Sequence, residues 1–268
     1  MSTSILSNPI PSQSNDASKY AIEVKNLTVG YGTRVLMQNL NFTVNNGEIF
    51  VILGGSGCGK SSLLKNLFGL YQPLSGDVLI EGQNITTAQG AERQHIMTSF
   101  GVMYQQGALF GSMNLLENVT LFMQEYTQLT QTQMDLLARC KLDLVGLLPY
   151  ESYMPSEISG GMQKRAAIAR AMALNPRILF LDEPSAGLDP ITSADLDQTI
   201  MDLSKNLGIT FVIVSHELAS IYAIADKVIM LDKAAKGIIA EGDPKVLRDT
   251  STDPRVHQFF NRIMSKDA

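Results

Sequence analysis

The residues with the clearest chemical potential form the loop GGSGCGKS at positions 54–61, which fits the pattern G-x-x-x-x-G-K-[ST]. An apolar run at 49–53 predicts a buried strand before the loop, and residues 61–68 predict a helix after it. The glycines let backbone N–H groups surround a polyphosphate, and the helix N-terminus adds partial positive charge. We therefore expect Lys60 to bridge the β- and γ-phosphates and the Ser61 hydroxyl to coordinate Mg²⁺. A glycine-rich turn with an unrelated lysine is the alternative.

Two adjacent carboxylates, Asp182 and Glu183, follow the apolar residues 178–181, which predict another buried strand. An unpaired charge at the end of such a strand is costly, and a bound cation would remove that cost. In this interpretation Asp182 holds Mg²⁺ or its water, and Glu183 polarises an attacking water molecule. An acidic pair on the surface is the alternative.

Three further side chains gain meaning only if a nucleotide lies at the same sheet edge. Tyr31 precedes a glycine in a turn and could stack on a base, although packing alone would explain it. Gln105 ends the apolar segment that begins at residue 100, and His216 follows the apolar run 211–214. Ligands of open α/β sheets bind beyond the carboxyl ends of the strands, where both would lie. A polar strand end and a structural histidine are the alternatives.

A second helix start carries small polar residues. Ser159, Gly160 and Gly161 precede a helix predicted over residues 162–173, and Ser159 is a suitable N-cap. The N-terminus of this helix would offer free N–H groups and a hydroxyl to an anion. An ordinary capped helix is the alternative.

The elements that position these residues predict an α/β fold. Strands at 49–53, 178–181 and 211–214 are apolar throughout and separated by helices, which predicts a parallel sheet covered on both faces. Several short strands precede the phosphate loop, with a turn at 45–47. Residues 115–147 read as helical, with an apolar face formed by Leu137, Cys140, Leu144 and Leu147.

This pattern divides the chain into three parts. Residues 1–19 are rich in Ser, Asn and Pro and predict a flexible tail. Residues 20–242 form the main domain, with an inserted helical subdomain at about 106–175. Residues 243–268 form a helical extension that ends in an amphipathic segment, 254–264, with Val256, Phe259, Phe260 and Ile263 on one face.

Composition excludes several classes of function. The 268 residues carry a net charge of −5, which argues against a nucleic-acid partner. The two cysteines, Cys58 and Cys140, do not indicate a disulfide, and the three histidines, His95, His216 and His257, lie too far apart to suggest a zinc site. We see no signal peptide and no apolar run of about twenty residues, so we expect a membrane role to depend on a partner.

Taken together, these features resemble the ATP-binding-cassette (ABC) ATPases over residues 21–242. The matching segments are the phosphate loop, ISGGM at 158–162 beside the LSGGQ signature, the Walker B strand at 178–183 and SAGLD at 185–189 beside the D-loop. In the same comparison Tyr31 is similar to the adenine-stacking aromatic, Gln105 to the Q-loop glutamine and His216 to the switch histidine. Met162 departs from the family glutamine, next to the phosphate contacts but not among them.

The resemblance implies an ATP site with Mg²⁺, shared between two chains that pair head to tail, and a parallel-sheet core of RecA type with an antiparallel β subdomain. The implied catalytic residues are Lys60, Glu183 and His216, and the implied metal ligands are Ser61, Gln105 and Asp182. The implied nucleotide contacts are Tyr31, Gly54, Gly55, Ser56, Gly57, Cys58, Gly59, Lys60, Ser61, Ser62, Gln105, Ser159, Gly160, Gly161 and Asp189. Among these contacts, Ser159, Gly160 and Gly161 would hold the nucleotide of the other chain.

Finer segments look like the ATPase subunit of the Mla-type transporters, which move phospholipids between bacterial inner and outer membranes. These segments are QQGALF at 105–110, LENV at 116–119, SGGMQKR at 159–165, GLDPITS at 187–193 and DPRVHQFF at 253–260. This likeness implies a permease and a lipid-binding MCE-domain protein as partners, a small regulatory subunit as a further one, and a site at the cytoplasmic face of the inner membrane.

Other hypotheses remain open at this point. An ATPase subunit of another ABC importer, for polar amino acids for example, would share the catalytic residues and differ in its partner. A soluble ABC ATPase of translation or DNA repair is disfavoured by the single cassette, the acidic balance and the lack of sustained heptads. A P-loop kinase or GTPase would leave the helix start at 159–161 unexplained.

Overall fold

A computed structural model describes residues 18–261. Residues 1–17 of the predicted flexible tail lie outside this range. Residues 262–264 of the predicted amphipathic segment 254–264 lie outside it as well. The strands are β1 (Tyr20–Tyr31), β2 (Arg34–Asn45), β3 (Ile49–Gly54), β4 (Ser75–Ile80), β5 (Gln83–Asn84), β6 (Phe100–Met103), β7 (Ile178–Asp182), β8 (Thr210–Val214), β9 (Lys227–Asp232) and β10 (Gly237–Gly242). The α-helices are α1 (Lys60–Leu67), α2 (Gly90–Thr98), α3 (Leu115–Tyr126), α4 (Gln131–Leu144), α5 (Gly160–Ala171), α6 (Pro190–Leu207), α7 (Leu218–Ile224), α8 (Pro244–Thr250) and α9 (Pro254–Asn261).

The larger sheet has the strand order β10-β9-β3-β8-β7-β6. Its five strands from β9 to β6 run parallel, and β10 pairs antiparallel with β9 at one edge. Every residue of β3, β7 and β8 is buried, as their continuous apolar sequence predicts for strands covered on both faces. The three strands named in the prediction of a parallel core are thus neighbours, and that prediction is confirmed.

The smaller sheet is antiparallel, with the order β2-β1-β4-β5. The prediction of several short strands before the phosphate loop is wrong, because β1 and β2 each run for 12 residues. Their pairing shifts register at several points, including the step between Val24 and Leu27, where Asn26 has a φ of 49°. Such irregularities let a strand continue through asparagines that resemble turn residues in the sequence.

Helices α3, α4 and α5 pack together beyond the sheet edge. The prediction of the apolar face of α4 is wrong. Cys140 and Leu144 are exposed, whereas Met134, Ala138 and Leu142 are buried. Helix α4 ends at Leu144, so Leu147 is buried from the following turn and does not continue the helical face. The buried stripe follows i, i+4 and i+8 spacing from Met134.

The last two helices pack together and contact α7. Val256 and Phe260 are buried, and the Tyr222 hydroxyl donates to the carbonyl of Phe260 at 3.2 Å. Phe259 is partly buried against the same cluster, while Ile263 lies outside the described residues. No helix within residues 18–261 is long and apolar enough to cross a membrane.

Candidate nucleotide-binding site

The sheet brings the predicted chemical residues to one edge. Strands β3, β8 and β7 are adjacent and parallel, and Val214 is level with both Ile52 and Asp182. The loops that leave these strands therefore emerge side by side at their carboxyl ends, where α/β proteins bind ligands. The backbone N–H of Glu183 donates to the carbonyl of Val214 at 2.9 Å, which fixes one of these loops to the next strand.

The phosphate loop closes around its own lysine. Lys60 is buried, and its ammonium donates to the carbonyls of Gly54 at 2.9 Å and Gly55 at 3.1 Å. Gly54 has a φ of 145°, and a Cβ there would lie 2.5 Å from the carbonyl oxygen of Leu231. A side chain at this position is excluded, so the loop can begin its turn only with glycine. Burial raises the pKa of the Cys58 thiol in the same loop.

Two side chains that carry oxygen atoms, Ser61 and Asp182, meet beside the loop. The hydroxyl of Ser61 donates to Oδ1 of Asp182 at 3.1 Å, across the gap between α1 and the end of β7. Asp182 is only 8% exposed, and no ion pair of its carboxylate is found among residues 18–261. A buried carboxylate next to a hydroxyl is a donor set of the kind that Mg²⁺ prefers, so these residues fit that ion.

Glu183 and His216 form a contact pair at the ends of β7 and β8. Nδ1 of His216 lies 2.5 Å from Oε2 of Glu183. The Glu183 side chain is 16% exposed and that of His216 is 65% exposed, so the pair opens to solvent on the histidine side. Glu183 has a φ of 51°, a left-handed backbone that costs of the order of 1–3 kcal/mol for a residue with a side chain. The carboxylate that follows this strained turn contacts His216.

Tyr31 contacts the first turn of α1, directly after the phosphate loop. Its hydroxyl lies 2.8 Å from Oγ of Ser62, and its ring packs edge to face with Tyr71 at 5.7 Å between centroids. The ring is half exposed, which leaves one side open to a planar ligand.

A second group of predicted residues lies where α5 and α6 begin. Ser159 caps α5 by accepting from the N–H of Met162 at 3.3 Å, which confirms the predicted N-cap. Asp189 caps α6 through the N–H groups of Ile191 and Thr192, and a hydrogen bond from the Thr192 hydroxyl lowers the pKa of this carboxyl. A Cβ on Gly161 would lie 2.2 Å from Cγ2 of Thr192, so the two helix starts touch.

This second group is separate from the first in its contacts. Within the described part of the chain, no hydrogen bond joins Ser159, Gly160, Gly161 or Asp189 to Lys60, Ser61, Glu183 or His216. The structure thus groups the predicted residues into two clusters on one chain.

Gln105 lies two residues beyond the end of β6 and is exposed. The backbone carbonyl of Gln105 accepts a hydrogen bond from the ammonium of Lys164. Arg170 donates to the carbonyls of Gly107, at 2.9 Å, and of Ala108. Sequence reasoning missed both cations. The available signal is their position on α5, whose other buried residues are glycine, alanine and isoleucine.

Comparison with known proteins places this geometry in a family. The family model described as "ABC transporter" matches residues 37–186, more than half of the chain. The chain belongs to the ABC transporter family. The predicted resemblance and the α/β fold class are thereby confirmed.

Among ABC relatives, the chain is 42% identical over 241 residues to the "Probable ribonucleotide transport ATP-binding protein mkl" of Mycobacterium leprae, covering 90% of this chain and 69% of that protein. It is 38% identical over 242 residues to the "Intermembrane phospholipid transport system ATP-binding protein MlaF" of Escherichia coli, covering 90% of this chain and 89% of MlaF. The chain thus spans about two thirds of the mycobacterial relative and nearly all of MlaF.

A solved structure agrees with the fold. The ATP-binding cassette MJ0796, in a dimeric post-hydrolysis state bound to ADP and phosphate, matches with a TM-score of 0.73 and 28% sequence identity. The match covers 83% of this chain and 98% of the cassette. The match is therefore to a complete cassette.

Proposed function

We propose that this chain is the ATP-hydrolysing subunit of an ABC transporter that moves phospholipid between the inner and outer membranes. The observation that carries the proposal is the sheet edge at which Lys60, the Ser61 and Asp182 pair, and the Glu183 and His216 pair converge. The similarity to MlaF over nearly the whole of both proteins supports the cargo.

Nucleotide binding follows from the loop geometry. The ammonium of Lys60 exchanges its bonds to the Gly54 and Gly55 carbonyls for phosphate oxygens, and the loop N–H groups and the start of α1 hold the β-phosphate. Tyr31 stacks on the adenine, with Ser62 holding its hydroxyl. Ser61, Asp182 and Gln105 would hold Mg²⁺, which would neutralise negative charge on the phosphates.

Hydrolysis requires a group that orients and deprotonates water. Glu183 is the general base, because its carboxylate follows Asp182 at the end of β7 and contacts His216. His216 contacts the same carboxylate and can donate from its imidazole to a γ-phosphate oxygen. The pair therefore places the base that activates water next to the imidazole that binds the released phosphate.

The second cluster acts on a neighbouring copy of the chain. Ser159, Gly160 and Gly161 form a helix N-terminus with partial positive charge, which suits a γ-phosphate. In a head-to-tail homodimer this start, with Asp189 beside it, lies over the phosphate loop of the partner. Loss of the γ-phosphate then removes the contact that holds the two copies together. The dimeric state of the MJ0796 cassette supports this assembly.

A groove between the sheet edge and the helical subdomain is the permease site. We predict the docking segment around residues 105–118, and a cavity of about 470 Å³ lies beside it. The cavity wall includes the aromatic residues Tyr104, Phe122 and Tyr126 and the two cations Arg93 and Arg170. An amphipathic helix of the permease fits such a groove. Charged or bulky substitutions there uncouple transport from hydrolysis.

The remaining partners follow from the same proposal. The chain lies at the cytoplasmic face of the bacterial inner membrane, held there by two copies of the permease. An MCE-domain lipid-binding protein and a small regulatory subunit complete the assembly. The described part of the C-terminal extension, residues 243–261, consists mainly of α8 and α9 and follows the proposed ATPase domain of residues 20–242.

A ribonucleotide is the second candidate cargo, because the mycobacterial mkl protein is 42% identical to this chain. The ATPase chemistry is the same for both cargoes. They differ in what the permease carries, so the test must identify the bound molecule.

The experiment is purification of the tagged chain from its own membranes in a gentle detergent, followed by mass spectrometry of proteins and small molecules. We expect a multispanning permease, an MCE-domain protein and phospholipid in excess over a tagged unrelated membrane protein. Recovery of ribonucleotides other than ATP and ADP, without excess phospholipid, would favour the second cargo. Recovery of a solute-binding importer assembly would overturn the phospholipid proposal while leaving the ATPase proposal intact.

A further inference from the structure

Two buried cations on α5 hold the backbone of the segment 105–108, which we call the Q segment. The ammonium of Lys164 donates to the carbonyl of Gln105. The guanidinium of Arg170 donates to the carbonyls of Gly107, at 2.9 Å, and of Ala108. Three carbonyls of four consecutive residues thus bond to one helix.

These cations lie in an unusual setting. Lys164 is 8% exposed and Arg170 is 6% exposed, and neither forms an ion pair with any carboxylate of residues 18–261. Burying a charge is costly unless strong hydrogen bonds compensate for it. Arg170 adds contacts with the rings of Phe110 and Phe122, at 5.9 and 6.0 Å from the centroids. The desolvation of two charges costs free energy that a purely structural link would not require, because a neutral side chain could also donate to these carbonyls.

The held segment is also strained. Ala108 has a φ of 53°, a left-handed backbone that costs energy for a residue with a side chain. The bond from Arg170 to its carbonyl, and a hydrogen bond from the N–H of Gly107 to the carbonyl of Tyr104 at 2.7 Å, hold this conformation. Without the cations, the segment would relax to a less strained form.

The position of the cations on α5 connects three parts of the proposed machinery. Lys164 lies one turn after Gly161, so it is attached to the helix start that faces the partner's nucleotide. Gln105 is the proposed metal ligand of the chain's own nucleotide. Arg170 and Phe122 line the cavity proposed for the permease. One uninterrupted helix therefore joins the permease groove, the Q segment and the Ser-Gly-Gly start.

We propose that Lys164 and Arg170 are positioning residues that fasten the Q segment to α5, so that Gln105 and the helix start at Ser159 move as one unit. The proposal rests on the proposed ATPase function, since it assigns these residues an effect on hydrolysis through Gln105. Neither cation touches the nucleotide in this proposal.

The test combines kinetics with hydrogen exchange on the full chain. The variants are Lys164→Met, Gln105→Ala, the double variant and Arg165→Met. Arg165 is the matched control, because it lies on the same helix and donates to a backbone carbonyl, that of Val145 at 3.0 Å, outside the Q segment. ATP dissociation constants are measured alongside turnover.

We expect Lys164→Met to lower kcat at least about tenfold with an unchanged ATP dissociation constant, because Lys60 and its loop are untouched. If Lys164 acts through Gln105, the double variant will turn over ATP no more slowly than Gln105→Ala alone. Additive losses of kcat in the double variant would contradict the proposal. Wild-type turnover in Lys164→Met would also contradict it.

Hydrogen exchange supplies the readout that does not depend on activity. The amides of Gly107 and Phe110 are hydrogen-bonded, to Tyr104 and to Asn118. In Lys164→Met and in the milder Arg170→Lys, without nucleotide, we expect these amides to exchange at least about tenfold faster, with Arg165→Met unchanged. Unchanged exchange in both cation variants, or equal loosening in Arg165→Met, would overturn the proposal. Absence of ATPase activity in the wild type would instead overturn the proposed function, and the exchange comparison would still decide whether the cations hold the segment.

Discussion

At the scale of single residues, Glu183 and Lys60 have separable roles. Glu183→Gln keeps the size and the strained backbone of the residue but removes its basicity, so we expect kcat to fall at least about hundredfold while ATP still binds. Lys60→Ala removes the cation in the phosphate loop and should weaken ATP binding itself. Turnover and equilibrium binding of a fluorescent ATP analogue distinguish the two. Unchanged turnover in Glu183→Gln would remove that residue from the role of base.

A buried carboxyl on α6 predicts a pH dependence of stability. Burial raises the pKa of Asp197 to about 6; a hydrogen bond from Ser220 opposes the shift and the Glu217 carboxylate adds to it. Because the folded pKa lies above the unfolded value, the folded state binds the proton more tightly. The stabilisation by protonated Asp197 is complete below about pH 4 and is lost as the pH rises through about 6.

Asp197→Asn tests this pH dependence. The measured quantity is the free energy of unfolding of the variant minus that of the wild type. We expect this difference to increase by about 1 kcal/mol from about pH 5 to about pH 7.5, because only the wild type loses the stabilisation by protonated Asp197. Urea denaturation at the two pH values measures the change. Asp195→Asn is the control, because Asp195 is exposed on the same helix and should show no such change. An equal pH response of both variants would contradict the assignment to Asp197.

At the scale of elements, the contact between α5 and α6 limits residue size. A Cβ on Gly161 would meet Cγ2 of Thr192 at 2.2 Å, so Gly161→Ala should cost about 1–3 kcal/mol of unfolding free energy. Adding Thr192→Ser removes that methyl group, keeps the hydroxyl that bonds to Asp189, and should recover most of the loss.

The matched control for this contact is Gly160→Ala, whose new Cβ would lie 3.8 Å from Leu188. This substitution should be neutral or slightly stabilising in a helix. Thermal denaturation of the three variants and the wild type measures the effect. A failure of Thr192→Ser to rescue Gly161→Ala would show that the helix start, and not the methyl contact, sets the cost.

The sequence predicts the elements whose signals are local. The phosphate loop, the apolar strands β3, β7 and β8, and the Ser159 cap each depend on a few adjacent residues. The prediction of the buried face of α4 is wrong, because the residues that belong to this face depend on where the helix ends. The bonds of Lys164 and Arg170 could not be predicted, since their acceptors are backbone carbonyls about sixty positions earlier in the chain. Backbone acceptors leave no mark in residue type.

At the scale of the whole molecule, the proposed homodimer depends on ATP. In the Glu183→Gln background, ATP should convert monomers into dimers, because the γ-phosphate persists between the phosphate loop and the opposite helix start. Ser159→Glu adds a negative charge at that start and should abolish the dimer. Light scattering with and without ATP measures the mass. Dimers that form equally without ATP would contradict this assembly.

A charge-matched control accompanies the dimer test. Ser75→Glu adds the same charge at an exposed position on β4, in the antiparallel sheet. It should leave ATP-dependent dimerisation unchanged. Loss of the dimer in both variants would indicate a general charge effect and not a contact at Ser159.

The strand order has a consequence for how the chain is made. Strand β3 leads into the phosphate loop, yet Ile49 pairs with Phe211 and Phe50 pairs with Lys227. During synthesis β3 emerges long before its two neighbours, β8 and β9. Pairing over such separations is slow, and the unpaired edges of β3 stay open to misassembly until the later strands arrive. The capacity to hold phosphate is therefore acquired late in translation, and the nascent chain is most vulnerable to aggregation while its first half waits for its last third.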